Sequence, residues 1–216
     1  MTDFSQWKDI SSAIASDTLD RLGHHGALFA RKIRPVLENP HLVGRARTLL
    51  FAPSSSAGDR DQMLADYISF IDSIKPGDVP VVACGPGDGY GVWGDVLSNA
   101  CQQRGAAGCV TDGFSRDIHG IREIGFSLFC AGIGCEDVGG RGKIIGVDVP
   151  VECGGARVAP GDIIVGDFDG CVCVPPAHAD AVLAAGQDAL AKDQETLAAV
   201  RKGMLLRDVF NITGVF

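Results

Sequence analysis

The segment AGCVTDGFSRDIHGIREIGFSLFCAG, residues 107–132, decides the fold. AGCVT (107–111) is a short apolar run suited to a buried strand, and IHGIREIG (118–125) reads as a helix stopped by Gly125. FSLFCAG (126–132) is a second apolar run. Strand, helix and strand in succession predict an α/β core with parallel pairing. Between the first strand and the helix lies DGFSRD (112–117), which sets Arg116 beside Asp117 at the end of an apolar strand.

The same alternation extends upstream. VPVVAC (79–84) predicts a buried strand and GPGDGYG (85–91) a glycine-rich loop. WGDVLSNACQQRG (93–105) predicts a helix with Val96, Leu97, Ala100 and Cys101 on one face and Gly105 as its stop. Earlier still, LVGRARTLLFA (42–52) reads as a strand, DQMLADYISFID (61–72) as an amphipathic helix and KPGD (75–78) as a turn. Residues 5–23 carry a helical period, with Ser16 or Asp17 as the cap of a second short helix and Gly23 as its end. Downstream the texture changes. Residues 142–176 hold strand upon strand, punctuated by GGARV and PGD, and predict antiparallel pairing. The run 177–203 predicts a long helix starting after Pro175–Pro176 and ending at Gly203. One domain, residues 1–216 with a helical extension from about 177, is the simplest organisation.

Composition narrows the function classes. The chain has 216 residues, 46% hydrophobic and 21% charged, with a net charge of −8. That charge and the lack of a basic run argue against a nucleic-acid surface. No apolar run is long enough to span a bilayer, and MTDFSQWKDI has no basic-then-apolar signal pattern, so a cytosolic protein is expected. The eight cysteines show no CxxC and no zinc spacing with histidine. Most sit in apolar runs, where Cys packs as a small hydrophobe, and Cys171 and Cys173 share one strand face.

Two places carry chemistry. Gly94–Asp95–Val96–Leu97 follows a glycine-rich loop and opens a helix, whose first N–H groups have no internal partners and favour an anion. The plain alternative is that Asp95 caps its own helix. Arg116–Asp117 opens the next helix, where ligands of open α/β sheets gather. Asp offers oxygen to a hard cation, and Arg a fork for a carboxylate or enolate; a capping Asp beside a solvated Arg is the alternative. His24–His25 suits a loop better than a metal pair, because adjacent residues point apart. His119, two residues past Asp117, is close enough in sequence to approach the site, whereas Arg122 and Glu123 suit the surface. GPGDGYG lacks the Gly-Lys-Ser/Thr ending of a phosphate loop.

The tract WGDVLSNACQQRGAAGCVTDGFSRD (93–117) resembles the signature of the RraA-like family, which includes class II pyruvate aldolases. Its order is a Gly-acid-x-Leu helix start, a helix ending in RGAAG, a strand, then DG…RD. VDVPVECGGARVAPGDIIVGDFDGCVCVP (147–175) resembles the family's later tract, and the likeness covers residues from about 40 to 203.

The resemblance implies a compact αββα sandwich with a swivelling ββα core, related to phosphohistidine domains. It implies trimers or hexamers with active sites between subunits. It implies that backbone amides of Gly94 to Leu97, with Val96 between, hold a pyruvate carboxylate. Arg116 would contact substrate, Asp117 would bind Mg²⁺ or Mn²⁺, and Asp95 would hold metal-bound water. GPGDGYG would line the cleft, and Asp59 and Arg60 would shape a neighbouring wall. The family's aldolases also take an acid from the neighbouring subunit's C-terminal region, for which Asp193 and Glu195 are the candidates here; a solvated helix face is the alternative for both. The activity implied is retro-aldol cleavage of 4-hydroxy-2-oxo acids, or decarboxylation of oxaloacetate, with no lysine Schiff base. Other relatives, called RraA, inhibit an endoribonuclease by binding protein. The trio Asp95, Arg116 and Asp117, and the tail GMLLRDVFNITGVF (203–216), favour the enzyme.

Overall fold

In the computed structural model, residues 4–55, 60–85 and 90–214 are described. The chain opens with a 3-10 turn, Phe4–Trp7, and α1, Ser12–Arg21. The helical period over 5–23 thus resolves into two helical pieces, as expected, but the second begins ahead of Ser16 and Asp17. Ser11 is the cap, its hydroxyl accepting from the Ile14 N–H, so Ser16 and Asp17 lie inside α1. A Ser–Ser pair ahead of the first turn supplies the capping oxygen earlier than either of those residues could.

The expected strands and helices follow in the expected order, with short unpredicted elements among them. They are β1 (Arg34–Pro35), β2 (Leu42–Pro53), α2 (Arg60–Asp72), β3 (Asp78–Ala83), β4 (Gly91–Trp93), α3 (Asp95–Gln103), β5 (Cys109–Thr111) and β6 (Phe114–Ser115). Next come α4 (Ile118–Glu123), β7 (Leu128–Cys130), β8 (Gly132–Ile133), β9 (Gly142–Val147), β10 (Val151–Cys153) and β11 (Ala156–Val158). The chain ends with β12 (Ile163–Asp167), β13 (Gly170–Val174), α5 (Ala179–Arg201) and α6 (Leu206–Thr213). The predicted stops Gly23, Gly105, Gly125 and Gly203 each lie one residue past a helix C-cap with positive φ, where a side chain would be strained.

The main sheet runs β1-β7-β5-β3-β2-β12-β13, with β9 also on β2. β2, β3, β5 and β7 pair in parallel, as the strand–helix alternation requires. Every pairing made by β9 to β13 is antiparallel, which matches the change of texture after residue 142. Helices α2, α3 and α4 cover one face through Met63, Tyr67, Phe70, Cys101 and Ile121. The β10–β11 hairpin covers the other through Val151, Cys153, Ala156 and Val158. Towards β12 and β13, α1 and α5 continue the first, helical face, with Ala15, Leu19 and Val182 on Ile163, Val165 and Val172, while Ile164, Cys171 and Cys173 point to the hairpin side. The result is the α/β sandwich expected, with helices on one face of the main sheet and the hairpin on the other. No described helix is long and apolar enough to cross a membrane.

A second, three-stranded parallel sheet was not foreseen. Its order, β4-β6-β8, repeats β3-β5-β7: β5 and β7 each run on, after a break, into β6 and β8, and β4 is the next described strand after β3. The break between β5 and β6 is Asp112–Gly113. A Cβ on Gly113 would lie 2.5 Å from Cys84 Sγ and 2.8 Å from Val92 Cγ2, so only glycine fits there. Asp112 ties the break down, accepting from the Cys84 N–H at 2.7 Å and the Gly154 N–H at 3.0 Å. This small sheet delivers the chain into α3 and α4 side by side.

All eight cysteines are free thiols, and all but Cys135 are buried. Burial pushes the seven buried thiols above their ordinary range, Cys101 to about 12. A thiol reagent is therefore expected to titrate one group in the native protein and eight after denaturation; fast modification of two or more native thiols would contradict the packing. The sign on stability follows. In the unfolded chain thiols ionise near pH ~8.5, while the folded state keeps them neutral. Their contribution is complete below that pH and declines as pH rises towards the raised values, so the melting temperature should fall in alkali.

Candidate active site

β4 ends at Trp93 and β6 at Ser115, hydrogen-bonded neighbours through Arg116 N–H to Trp93 O at 3.0 Å. Both chains then turn into helices. Gly94 is the N-cap of α3 and Asp117 the N-cap of α4, so the two sequence-predicted helix starts meet at one place. The start of α3 is held from below. Trp93 Nε1 donates to Ser98 Oγ at 2.8 Å, and Ser98 Oγ donates to Gly94 O at 2.9 Å. Tyr67 of α2 donates its hydroxyl to Val92 O at 2.7 Å, and Trp93 stacks on Phe126.

Neither carboxylate is a cap. Gly94 has no side chain to offer, and no side chain caps α3. Asp95 instead lies over α4, where a Cβ on Gly120 would come within 3.1 Å of its Oδ2. Asp117 occupies its N-cap position with φ 58 and ψ 34, a left-handed backbone, and makes no capping bond. Its carboxylate leans over the start of α3: a Cβ on Gly94 would sit 2.9 Å from Asp117 Oδ2. Glycine at 94 thus leaves the space into which Asp117 reaches.

Arg116 completes the group. Its Nε is 3.5 Å from Asp117 Oδ2 and its terminal nitrogen 4.0 Å from Asp137 Oδ1, all three side chains being roughly half exposed. A cleft of about 170 Å³ connects these residues, walled by Leu64, Val92, Trp93, Val96 and Val138. Val96 is 76% exposed at its mouth.

The charged groups here differ from the aspartates that tie the fold together. Asp78, Asp112, Asp148, Asp162 and Asp167 all accept hydrogen bonds from backbone or side chains. Among the described residues, the side chains of Asp95, Arg116, Asp117 and Asp137 make none. The first N–H groups of α3 also have no partner within the helix. Unbonded carboxylates, the open N–H groups of a helix start and a guanidinium with free donors therefore face one small cleft, an arrangement chemically suited to a carboxylate or an enolate beside a hard cation.

Other sequence candidates fall elsewhere. His119 is exposed and pairs with Glu123 at 3.3 Å, so it does not approach the cleft. Arg122 and Glu123 are exposed, Arg122 donating to Val36 O. His25 pairs with Asp20 and His24 rests against His178; no group of three or more His, Cys, Asp or Glu suited to a metal occurs among the described residues. Asp193 and Glu195 are exposed on α5. Cys171 and Cys173 are core packing. Asp59 and residues 86–89 of the glycine-rich loop lie outside the described residues, and Arg60 begins α2. Asp137 carried no sequence signal, since it sits in the irregular stretch between β8 and β9.

Known proteins share this fold. A family model described as RraA-like, Aldolase/RraA, matches residues 12–173. A protein of Halalkalibacterium halodurans named "Putative 4-hydroxy-4-methyl-2-oxoglutarate aldolase" is 32% identical over 93% of this chain and 90% of its own length. An uncharacterised Pseudomonas syringae protein superposes with a TM-score of 0.82 at 28% identity, over 95% of each chain. Streptomyces coelicolor RraAS2, described as an unusual member of the RNase ES inhibitor RraA protein family, gives 0.77 at 30% identity, over 90% of this chain and 93% of its own.

Proposed function

Because the chain belongs to the RraA-like, Aldolase/RraA family, we propose that it is a divalent-metal-dependent class II aldolase of the cytosol. Its substrates are 4-hydroxy-2-oxo acids of the 4-hydroxy-4-methyl-2-oxoglutarate or 4-carboxy-4-hydroxy-2-oxoadipate type, cleaved to pyruvate, and it decarboxylates oxaloacetate through the same enolate. The observation that carries this reading is the group of unbonded charges, Asp95, Arg116 and Asp117, gathered at the start of α3.

The residues fit a metal ion. Magnesium is commonly held by one or two carboxylates and several waters, and Asp117, with Asp95 acting through water, is such an oxygen set. When bound, Mg²⁺ or Mn²⁺ supplies Lewis-acid polarisation of the 2-keto oxygen. The protein's own groups do the rest. The N–H groups at Gly94 to Leu97 receive the substrate carboxylate, and Arg116 faces the oxygen on which negative charge develops. Water beside Asp95 accepts the proton of the C4 hydroxyl. The C3–C4 bond then breaks, its electron pair passes to C3, and C4 becomes a carbonyl carbon. Protonation at C3 yields pyruvate. With oxaloacetate the same bond breaks to release carbon dioxide, and no hydroxyl proton need be removed.

Assembly as a homotrimer or homohexamer, with sites between subunits, is part of the proposal. Leu64 and Ile68, one turn apart on α2, and Val96 at the cleft mouth form an exposed apolar rim suited to a second copy. A lactate-dehydrogenase-coupled assay with Mg²⁺ or Mn²⁺, across several 4-hydroxy-2-oxo acids and oxaloacetate, is expected to detect pyruvate, and EDTA to abolish it reversibly. Full activity after exhaustive chelation would remove the metal from the mechanism. The similarity to RraAS2 favours a second reading, a protein-binding regulator of ribonuclease activity. Tight association with a ribonuclease, and no pyruvate from any of these acids, would establish that reading instead.

A further inference from the structure

We infer that Asp137 is a positioning residue, which draws the Arg116 guanidinium away from Asp117 so that both remain free for ligands. Arg116 stands between two carboxylates, Nε towards Asp117 at 3.5 Å and a terminal nitrogen towards Asp137 at 4.0 Å. Neither pair makes a hydrogen bond, so the guanidinium is balanced between them. Adjacent residues such as Arg116 and Asp117 would otherwise close onto each other. That contact would occupy the carboxylate oxygen meant for a cation and the donor edge meant for substrate.

Asp137 is built to hold its place. Its carbonyl accepts from Arg141 at 2.9 Å, and the N–H groups of Arg141 and Gly142 both reach Val138 O, at 2.9 and 3.0 Å. The preceding carbonyl, that of Glu136, lies so close over Gly91 of β4 that no side chain fits between them. The backbone is therefore anchored on both sides while the carboxylate stays unbonded. A second guanidinium flanks it: a Cβ on Gly139 would lie 2.9 Å from Asp137 Oδ2 and 3.0 Å from Arg60 Nε. Arg60 balances the charge of Asp137 from outside the cleft and leaves its inner oxygen to Arg116.

The kinetic part of the test rests on the lyase reading; the binding part does not. Wild type, Asp137→Asn, Asp137→Glu, Arg116→Ala and the double variant Arg116→Ala/Asp137→Asn are compared in the pyruvate assay. The same five proteins are titrated with Mn²⁺ alone, followed by the paramagnetic resonance of the free ion. Asp137→Asn is expected to lower kcat/KM about tenfold, a coupling of the size neighbouring groups show, and to weaken Mn²⁺ binding severalfold. Asp137→Glu should recover most of both. In the Arg116→Ala background, Asp137→Asn should change neither. Loss of a negative charge would weaken Mn²⁺ binding with or without Arg116, so an equal effect in both backgrounds would overturn the proposal. So would wild-type behaviour of Asp137→Asn. If wild type releases no pyruvate, the lyase reading falls and the Mn²⁺ comparison alone decides the role of Asp137.

Discussion

Asp117→Ala is expected to lower kcat for pyruvate release by about a thousandfold, or about 4 kcal/mol of transition-state stabilisation, the scale on which preorganised charge acts in a closed site. The change removes the carboxylate that reaches over Gly94, and with it the oxygen proposed to hold the metal. Alanine also suits the left-handed backbone at φ 58 poorly, at a cost of roughly 1–2 kcal/mol. Asp117→Asn separates the two effects. Asparagine tolerates that backbone and keeps the shape, so it should match wild type in melting temperature while losing activity almost as fully. A kcat within tenfold of wild type for either variant would show that the Asp117 carboxylate is not part of the machinery.

The second large effect is on folding. Gly44 lies in β2 where β12 and β3 pair on either side of it. A Cβ there would fall 2.5 Å from Gly77 O, 2.7 Å from Val79 Cγ2 and 3.1 Å from Ala107 Cβ. Gly77 O is already engaged by the Arg45 N–H at 2.8 Å, so it has nowhere to retreat. Gly44→Ala should destabilise the protein by about 3 kcal/mol, as overpacking of a close-packed core does, which lowers the melting temperature by about 10 °C at this size. Activity per folded molecule should be unchanged, because none of the groups that a Cβ at 44 would meet lines the cleft. A melting temperature within about 2 °C of wild type would show that β2 and the turn at Gly77 separate more easily than their packing indicates.

The parallel core was legible because its strands are apolar runs and its helices end at glycines. The antiparallel half was legible because turn residues recur between short strands. What escaped was built from pieces too short to carry a period. β4, β6 and β8 have two or three residues each, so Gly91 reads as the end of a loop, Trp93 as the start of a helix, and FS as part of DGFSRD. The two helix starts of the site could be placed, since Gly94–Asp95 and Arg116–Asp117 each follow an apolar strand. Their meeting could not, because it depends on the small sheet that pairs Trp93 with Ser115. Asp137 was invisible for a different reason: it acts through distance to Arg116, and nothing local to EDVGG signals that neighbour.

Folding puts seven thiols beyond the reach of oxidants that attack them in the unfolded chain, and leaves Cys135 alone exposed. Once packed, Cys84, Cys109 and Cys153 can meet neither a reagent nor one another's thiolate. Before packing, all eight sulfurs are accessible and share a flexible chain, so cross-linking competes with folding for the same molecules. Reductant should therefore govern the yield of refolding or synthesis and have little influence on the lifetime of the finished protein.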